Sequence, residues 1–161
     1  MNSDCEGVFV VAGGGINLLT WLLENPGEHT STAVLEATVP DSRAALEEYV
    51  EHYAQYSLEG QEIVSEEVCN SMALAAYDRA HWLSSKLANV FGLAISASLV
   101  TNYEKHEEIH AYISMVIDGG EFQICHIQSD VLEGLNRQQQ DRHVSLIAYR
   151  LMNKIFGGRK G

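Results

Sequence analysis

Three consecutive glycines, Gly13, Gly14 and Gly15, end the apolar run Val8 to Ala12 and open the segment Ile16 to Leu23. That order predicts a strand, a tight turn and a helix. Residues without a Cβ let backbone N–H groups approach a ligand closely, and a helix start favours an anion. Phosphate binding is the chemistry this turn could perform, with the side chain of Asn17 as a further donor. The competing reading is a turn that only packs a strand on a helix, because the spacing is not G-x-G-x-x-G and no G-K-[ST] follows. Ser96, Ser98, Thr101 and Asn102 end a later apolar run with hydroxyl and amide groups. Such groups can bond phosphate, ribose or an amide, or they can cap the strand-to-loop turn. Ser42 is first a helix N-cap and second a hydroxyl available to a ligand.

His106-Glu-Glu-Ile-His110 spells H-E-x-x-H. On a helix it would bind zinc, with Glu107 as general base. The stretch that follows is short, rich in β-branched residues and runs into a hairpin turn, so a strand is expected instead. Along a strand the two histidines would stand about 13 Å apart at roughly 3.3 Å per residue. One tetrahedral ion could not join them, and no metal is assigned. Cys5, Cys69 and Cys125 are far apart with no C-x-x-C, which argues against a disulfide framework or a cysteine zinc site. Cys125 and His126, adjacent on a strand, would face opposite ways. Tyr49, Tyr53 and Tyr56 recur at helical spacing and read as packing. Trp21 and Trp82 read as core or interface anchors.

These residues need elements to position them. Pro26-Gly27 stops the first helix. Thr30 to Val39 reads as a strand, and Pro40-Asp41-Ser42 starts a helix from about Arg43 to Gln55. Ser65 to Leu87 is a helix with an N-cap serine and an acidic first turn. Phe91 to Val100 is a strand. Ile109 to Ile117 and Phe122 to Ile127 flank Asp118-Gly-Gly120 as a hairpin. Asn136 to Phe156 is a long helix ending at Gly157-Gly158. Interleaved helices and strands followed by a hairpin imply an α/β chain: a three-layer α/β/α sandwich with a mixed, mostly parallel sheet. Ligands of such sheets sit beyond the carboxyl ends of the strands, where the glycine turn falls.

The 161 residues fit one domain, with an ordered core at about 7–156 and a flexible tail at 157–161. No run has the length of a membrane span and the first residues do not form a signal peptide, so a cytoplasmic location is expected. A formal charge of −12 argues against nucleic acid and anionic membrane as partners. It leaves room for a small anionic ligand held by a local nest of N–H groups.

Several stretches together resemble the C-terminal domain of the CinA family, the competence/damage-inducible proteins that include nicotinamide mononucleotide deamidases. They are Gly13-Gly-Gly-Ile-Asn-Leu-Leu19 with Pro26-Gly27, then Leu35-Glu-Ala-Thr-Val-Pro-Asp-Ser-Arg-Ala-Ala-Leu46. Ile63-Val-Ser-Glu-Glu-Val-Cys-Asn-Ser-Met-Ala73 with Ala76-Tyr-Asp-Arg79 follows, and then Gly92 to Asn102. The resemblance spans about residues 8 to 156. It implies an α/β/α fold, self-association as a homodimer or higher homo-oligomer, and a pocket for a pyridine mononucleotide without a cofactor. The sequence also departs from the deamidases of that family. Their Ser-Cys-Thr-Gly-Gly type turn is Ala12-Gly-Gly-Gly15 here. Of their Tyr-Ser-x-x-x-Lys pattern only Ser42 remains, with Asp41 at the tyrosine position and Leu46 at the lysine position. Their Thr-Gly-x-Ala-Gly-Pro loop is replaced by Ser96-Ala-Ser-Leu-Val-Thr-Asn102. Hydrolysis of a carboxamide needs an activated nucleophile and a proton donor for ammonia, whereas phosphate binding needs only donors. The leading expectation is a binder of a small pyridine or adenine nucleotide, with Gly13, Gly14, Gly15, Asn17 and Ser42 near phosphate and Ser96, Ser98, Thr101 and Asn102 near ribose or base. The alternatives are an amidohydrolase acting on nicotinamide mononucleotide through Ser42 or Ser98, with His110 or His126 as base, and a structural oligomer with a vestigial pocket.

Overall fold

A computed structural model describes residues 5–24, 32–84, 89–99, 109–117, 119 and 121–156. Along the chain run β1 (Cys5–Ala12), α1 (Ile16–Glu24), β2 (Thr32–Thr38), α2 (Arg43–Ala54), α3 (Glu66–Leu83), β3 (Asn89–Ser98), β4 (His110–Ile117), β5 (Glu121–Ile127), α4 (Ser129–Leu132) and α5 (Arg137–Phe156). The strands make one sheet in the order β2-β1-β3-β4-β5. β1 pairs in parallel with both β2 and β3, and β4 runs antiparallel to β3 and β5. The expected mixed sheet is what forms, and β4 is its reversed member.

Strand alternation splits the core into two layers. Phe9, Val11, Leu93, Ile95, Ile113 and Met115 pack under α1 and α5, against Leu18, Leu22, Val144, Ala148 and Met152. Val8, Val10, Ala94 and Val116 pack under α2 and α3, against Leu46, Val50, Val68, Met72 and Ala76. β1 lies between β2 and β3 with helices over both faces, and every one of its residues is buried. That explains its unbroken apolar run. The strand starts at Cys5, earlier than the apolar run suggests. Glu6 is buried there because its Oε1 accepts a hydrogen bond from Ser84 Oγ at 2.8 Å, at the end of α3. Gly92 marks a close helix–sheet approach, since a Cβ there would collide with Tyr77 N and Ala73 O on α3.

Local signals set the helix starts. Ser42 Oγ accepts from Ala45 N at 3.1 Å, and Ser65 Oγ accepts from Val68 N at 3.2 Å. Asn136 and Gln139 cap α5 reciprocally, each side chain accepting from the other's backbone N–H at 2.8 and 2.9 Å. Trp21 is edge-on to Tyr149. Trp82 is 80% exposed and is therefore no core anchor. No helix among the described residues is long and apolar enough to cross a membrane.

All three cysteines are free. Cys69 is fully buried, with Sγ 3.4 Å from Tyr112 O and 3.6 Å from Ala94 O. Burial pushes its thiol well above its ordinary value of 9.0. The folded chain therefore holds that proton where the unfolded chain releases it. Stability is expected to fall as pH rises beyond about 9, measured by urea unfolding across pH 8 to 10.5. Alkylation at pH 8 should spare Cys69 in the native protein and modify it after unfolding. Gly92→Ala should lower unfolding free energy by about 1–3 kcal/mol in the same assay, because helix backbone cannot yield as a side chain can.

Candidate functional site

The carboxyl ends of the parallel strands gather most of the described chemistry-bearing residues. Gly13 to Gly15 follow β1, Ser42 follows β2, and Ser98 ends β3. β4 enters at this edge with His110, which lies directly opposite Ser98 in register. β5 leaves by the same edge with His126, opposite Tyr112. Thr101, Asn102, His106 and Glu107 lie outside the described residues, as does the tail 157–161.

The glycine turn does not present an open cradle. Gly15 N donates to Asp141 Oδ2 at 2.9 Å, Ile16 N to the same oxygen at 3.4 Å, and Asn17 N to Oδ1 at 3.2 Å. The Asn17 side chain adds its own bond, Nδ2 to Oδ1 at 3.0 Å. Asp141 reaches the turn from the first part of α5, is 7% exposed, and takes a further bond from Ser145 Oγ at 3.3 Å. Arg137, one turn earlier on α5, donates Nη2 to Gly13 O at 2.6 Å. A helix N-terminus attracts an anion, and here the anion is a carboxylate of the chain itself. The expectation that Gly15 and Asn17 donate to a ligand phosphate is thereby corrected.

The glycines answer to packing. A Cβ on Gly13 would collide with Ala97 O, and one on Gly14 with the Leu99 side chain. At Gly15, φ is +94° and a Cβ would come within 2.7 Å of Ile95 Cδ1. Ile95, Ala97 and Leu99 belong to the α1/α5 face. Ser96 and Ser98 alternate with them and lie on the other face. The expected single pocket joining the turn to both serines is thus divided between two sides of the sheet.

Ser96 is fully buried and donates to Ile63 O at 3.1 Å, which fixes the segment leading into α3. It is structural, contrary to the expected ribose or base contact. Ser42 is exposed and occupied as the α2 N-cap acceptor, the first of its two expected roles. Leu46, which the sequence resemblance sets against the deamidases' lysine, is 1% exposed and part of the α2/α3 core. Ser98 differs from Ser96. It is 4% exposed, and its hydroxyl has no hydrogen-bond partner.

Beside Ser98 stands an imidazole and phenol cluster. His110 Nδ1 and His126 Nε2 are 3.1 Å apart. The Tyr112 ring stacks on His126, with centroids 4.2 Å apart and planes 7° from parallel. His110 is edge-on to Tyr112 at 5.5 Å. β4 is held to α3 beneath by Ser114 Oγ donating to Asn70 Oδ1 at 2.7 Å. The cluster can relay a proton, donate to an anion or ligate a cation. Ser98 is not hydrogen-bonded to either imidazole, so a nucleophile–base pair is not formed. Cys125 packs on the opposite, α1/α5 face with its thiol raised by burial, which rules out a Cys125–His126 pair. Sequence reasoning named both histidines but missed Tyr112 and Asp141.

Asp141→Ala should strip acceptors from three backbone amides. The expected loss is roughly 2–3 kcal/mol of unfolding free energy, by comparison with N-cap deletions and bonds to charged groups. Sulfate or phosphate should raise the melting temperature of this variant more than that of the wild type, because the vacated helix end becomes an anion site. Equal salt responses would show that Asp141 does not close that end.

No protein-family model matches the chain, and no curated protein matches it in sequence. Solved structures do. The competence/damage inducible protein CihA from Agrobacterium tumefaciens superposes with a TM-score of 0.66 at 16% identity, covering 90% of this chain and 82% of that one. A CinA superfamily protein from Klebsiella pneumoniae gives 0.69 at 13% identity, covering 94% and 87%. Another from Enterobacter cloacae gives 0.64 at 18% identity, covering 91% and 80%. Superposition over at least nine-tenths of its length shows that this chain has the CinA fold.

Proposed function

We propose that the chain is a CinA-fold binding domain for a small phosphate-bearing nucleotide in which deamidase chemistry is lost. The observation that carries this reading is the buried Ser98 hydroxyl, left without a protein partner beside His110, Tyr112 and His126 at the carboxyl edge of the sheet. A buried polar atom without a partner has a cost that a ligand or an ordered water can remove. Its position fits the rule that open α/β sheets bind ligands beyond the carboxyl ends of their strands. Ser98 then takes a ribose or base atom, and the imidazole N–H groups take the phosphate. The phosphate does not enter the α1 terminus, because the Asp141 carboxylate would repel it. Deamidation is lost because the glycine turn has no nucleophile and Leu46 cannot transfer a proton.

The register of Ser98 opposite His110 favours a second reading, an amidohydrolase with Ser98 as nucleophile and His110 as base. Thermal unfolding with nicotinamide mononucleotide and adenosine monophosphate, together with an ammonia assay, separates the readings. The expected result is a nucleotide-dependent rise in melting temperature with no ammonia released. Ser98→Ala should leave the unliganded melting point unchanged or slightly higher, since it removes an unsatisfied hydroxyl, and should reduce the nucleotide-induced rise. Ammonia release lost in Ser98→Ala would establish the hydrolase. No response to either nucleotide would overturn both.

A further inference from the structure

We propose that His110 and His126 form a two-imidazole site for a divalent first-row transition metal of the zinc or copper class. The two residues are diagonal neighbours on β4 and β5, since His126 is paired with Tyr112, two residues beyond His110. Diagonal positions lie roughly 7–8 Å apart at the backbone, a span that long side chains close. Here they close it completely, with Nδ1 of one ring 3.1 Å from Nε2 of the other. An ion at the usual zinc–nitrogen distance of roughly 2.05 Å from both atoms would subtend an angle of about 100°. That lies between the right angle of an octahedral site and the tetrahedral angle, so the spacing already matches the bite of one metal ion. The pair now shares one hydrogen bond. Metal binding replaces it by a tautomer shift in the donor ring and a small turn of the half-buried His110 and exposed His126 rings, with no net loss of a proton.

The surroundings prepare the pair for this exchange. Tyr112 stacks flat on His126 and restricts its ring. Its own carbonyl is tied to Cys69 Sγ, and Ser114 is tied to Asn70, so the strand that carries His110 is anchored to α3. Two imidazoles select zinc, copper or nickel over magnesium and calcium, which want oxygen. A formal charge of −12 raises the local concentration of any cation. With two protein donors among the described residues, the remaining coordination positions can be filled by water or by oxygens of a small molecule. The metal site shares its two imidazoles with the phosphate contact of the nucleotide reading but not the Ser98 contact, and a titration with metal alone reads it whether or not a nucleotide binds.

The test is calorimetric titration of the chelator-treated full chain with zinc, without nucleotide, in the wild type and in His110→Ala, His126→Ala and His143→Ala. Wild type and His143→Ala should bind one equivalent alike. Each of the other two should lose at least about tenfold in affinity, the lower end of what removing even a supporting group does to a metal site. Unchanged affinity in His110→Ala or His126→Ala, or no zinc uptake by the wild type, overturns the proposal. Pulsed electron paramagnetic resonance of the wild type with one equivalent of copper(II) gives a readout that needs no variant. Two equatorial imidazoles are expected, and one or none overturns the site.

Discussion

One carboxylate organises this molecule. Asp141, on the last helix, ends the first one by accepting from the amides of Gly15, Ile16 and Asn17. Three of the four N–H groups that any helix start leaves without an internal partner gather there, with the positive end of the helix dipole behind them. A buried carboxylate would be costly alone, and a buried helix start without acceptors would be costly alone. Each removes the other's penalty. The bond set also joins residues more than 120 positions apart, α1 to α5, across one face of the sheet. An external phosphate at this place would have to displace a charge that is already there and always within reach.

The same geometry explains how three glycines can be retained without a ligand. For Asp141 to reach the amides, the turn must lie flat on β3, and the space it occupies is bounded by Ala97 O, Leu99 and Ile95. Gly13 meets backbone there and Gly13 and Gly15 both hold positive φ, while a Cβ at Gly14 would have to push the Leu99 side chain aside. A glycine-rich strand-to-helix turn is therefore ambiguous evidence for phosphate binding, because close approach to a ligand and close approach to a neighbouring strand make the same demand on sequence. The deciding residue lies far away in sequence and supplies the acceptor.

The elements were legible because their signals are local and their periods distinct. The N-cap serines Ser42 and Ser65, the β-branched run of β2, the hairpin around Gly119 and the long α5 are all set by neighbours within a few residues. The start of β1 was obscured because Glu6 interrupts the apolar run, and its burial depends on Ser84 on another element. The site was less legible for the same reason. Asp141, Ser145, Ala148 and Met152 follow helical spacing along the buried side of α5. A carboxylate in that stripe is the trace in sequence of an internal partner, but the stripe does not name the partner. The His110–His126 pair was closer to hand. Once the hairpin turn fixes Ile117 opposite Glu121, counting back brings Tyr112 opposite His126 and His110 onto its diagonal.

The departures from the deamidase pattern form one consistent set. Without a serine in the first turn there is no nucleophile for a lysine to assist, and the lysine position is taken by Leu46, buried between α2, α3 and the sheet. An ammonium at that depth would need a charged partner, and the buried residues of that cluster include no carboxylate. A serine introduced alone would put a hydroxyl on a turn packed against Ala97, Leu99 and Ile95, with its adjoining amides held by Asp141. A lysine introduced alone at Leu46 would break the α2/α3 core. A deamidase-type site is therefore closed from both faces here, by a carboxylate on one and an apolar side chain on the other. Among the described residues at the carboxyl edge, the Ser98 hydroxyl and the imidazole pair are the polar groups that neither the Asp141 bond set nor the α2/α3 core takes up.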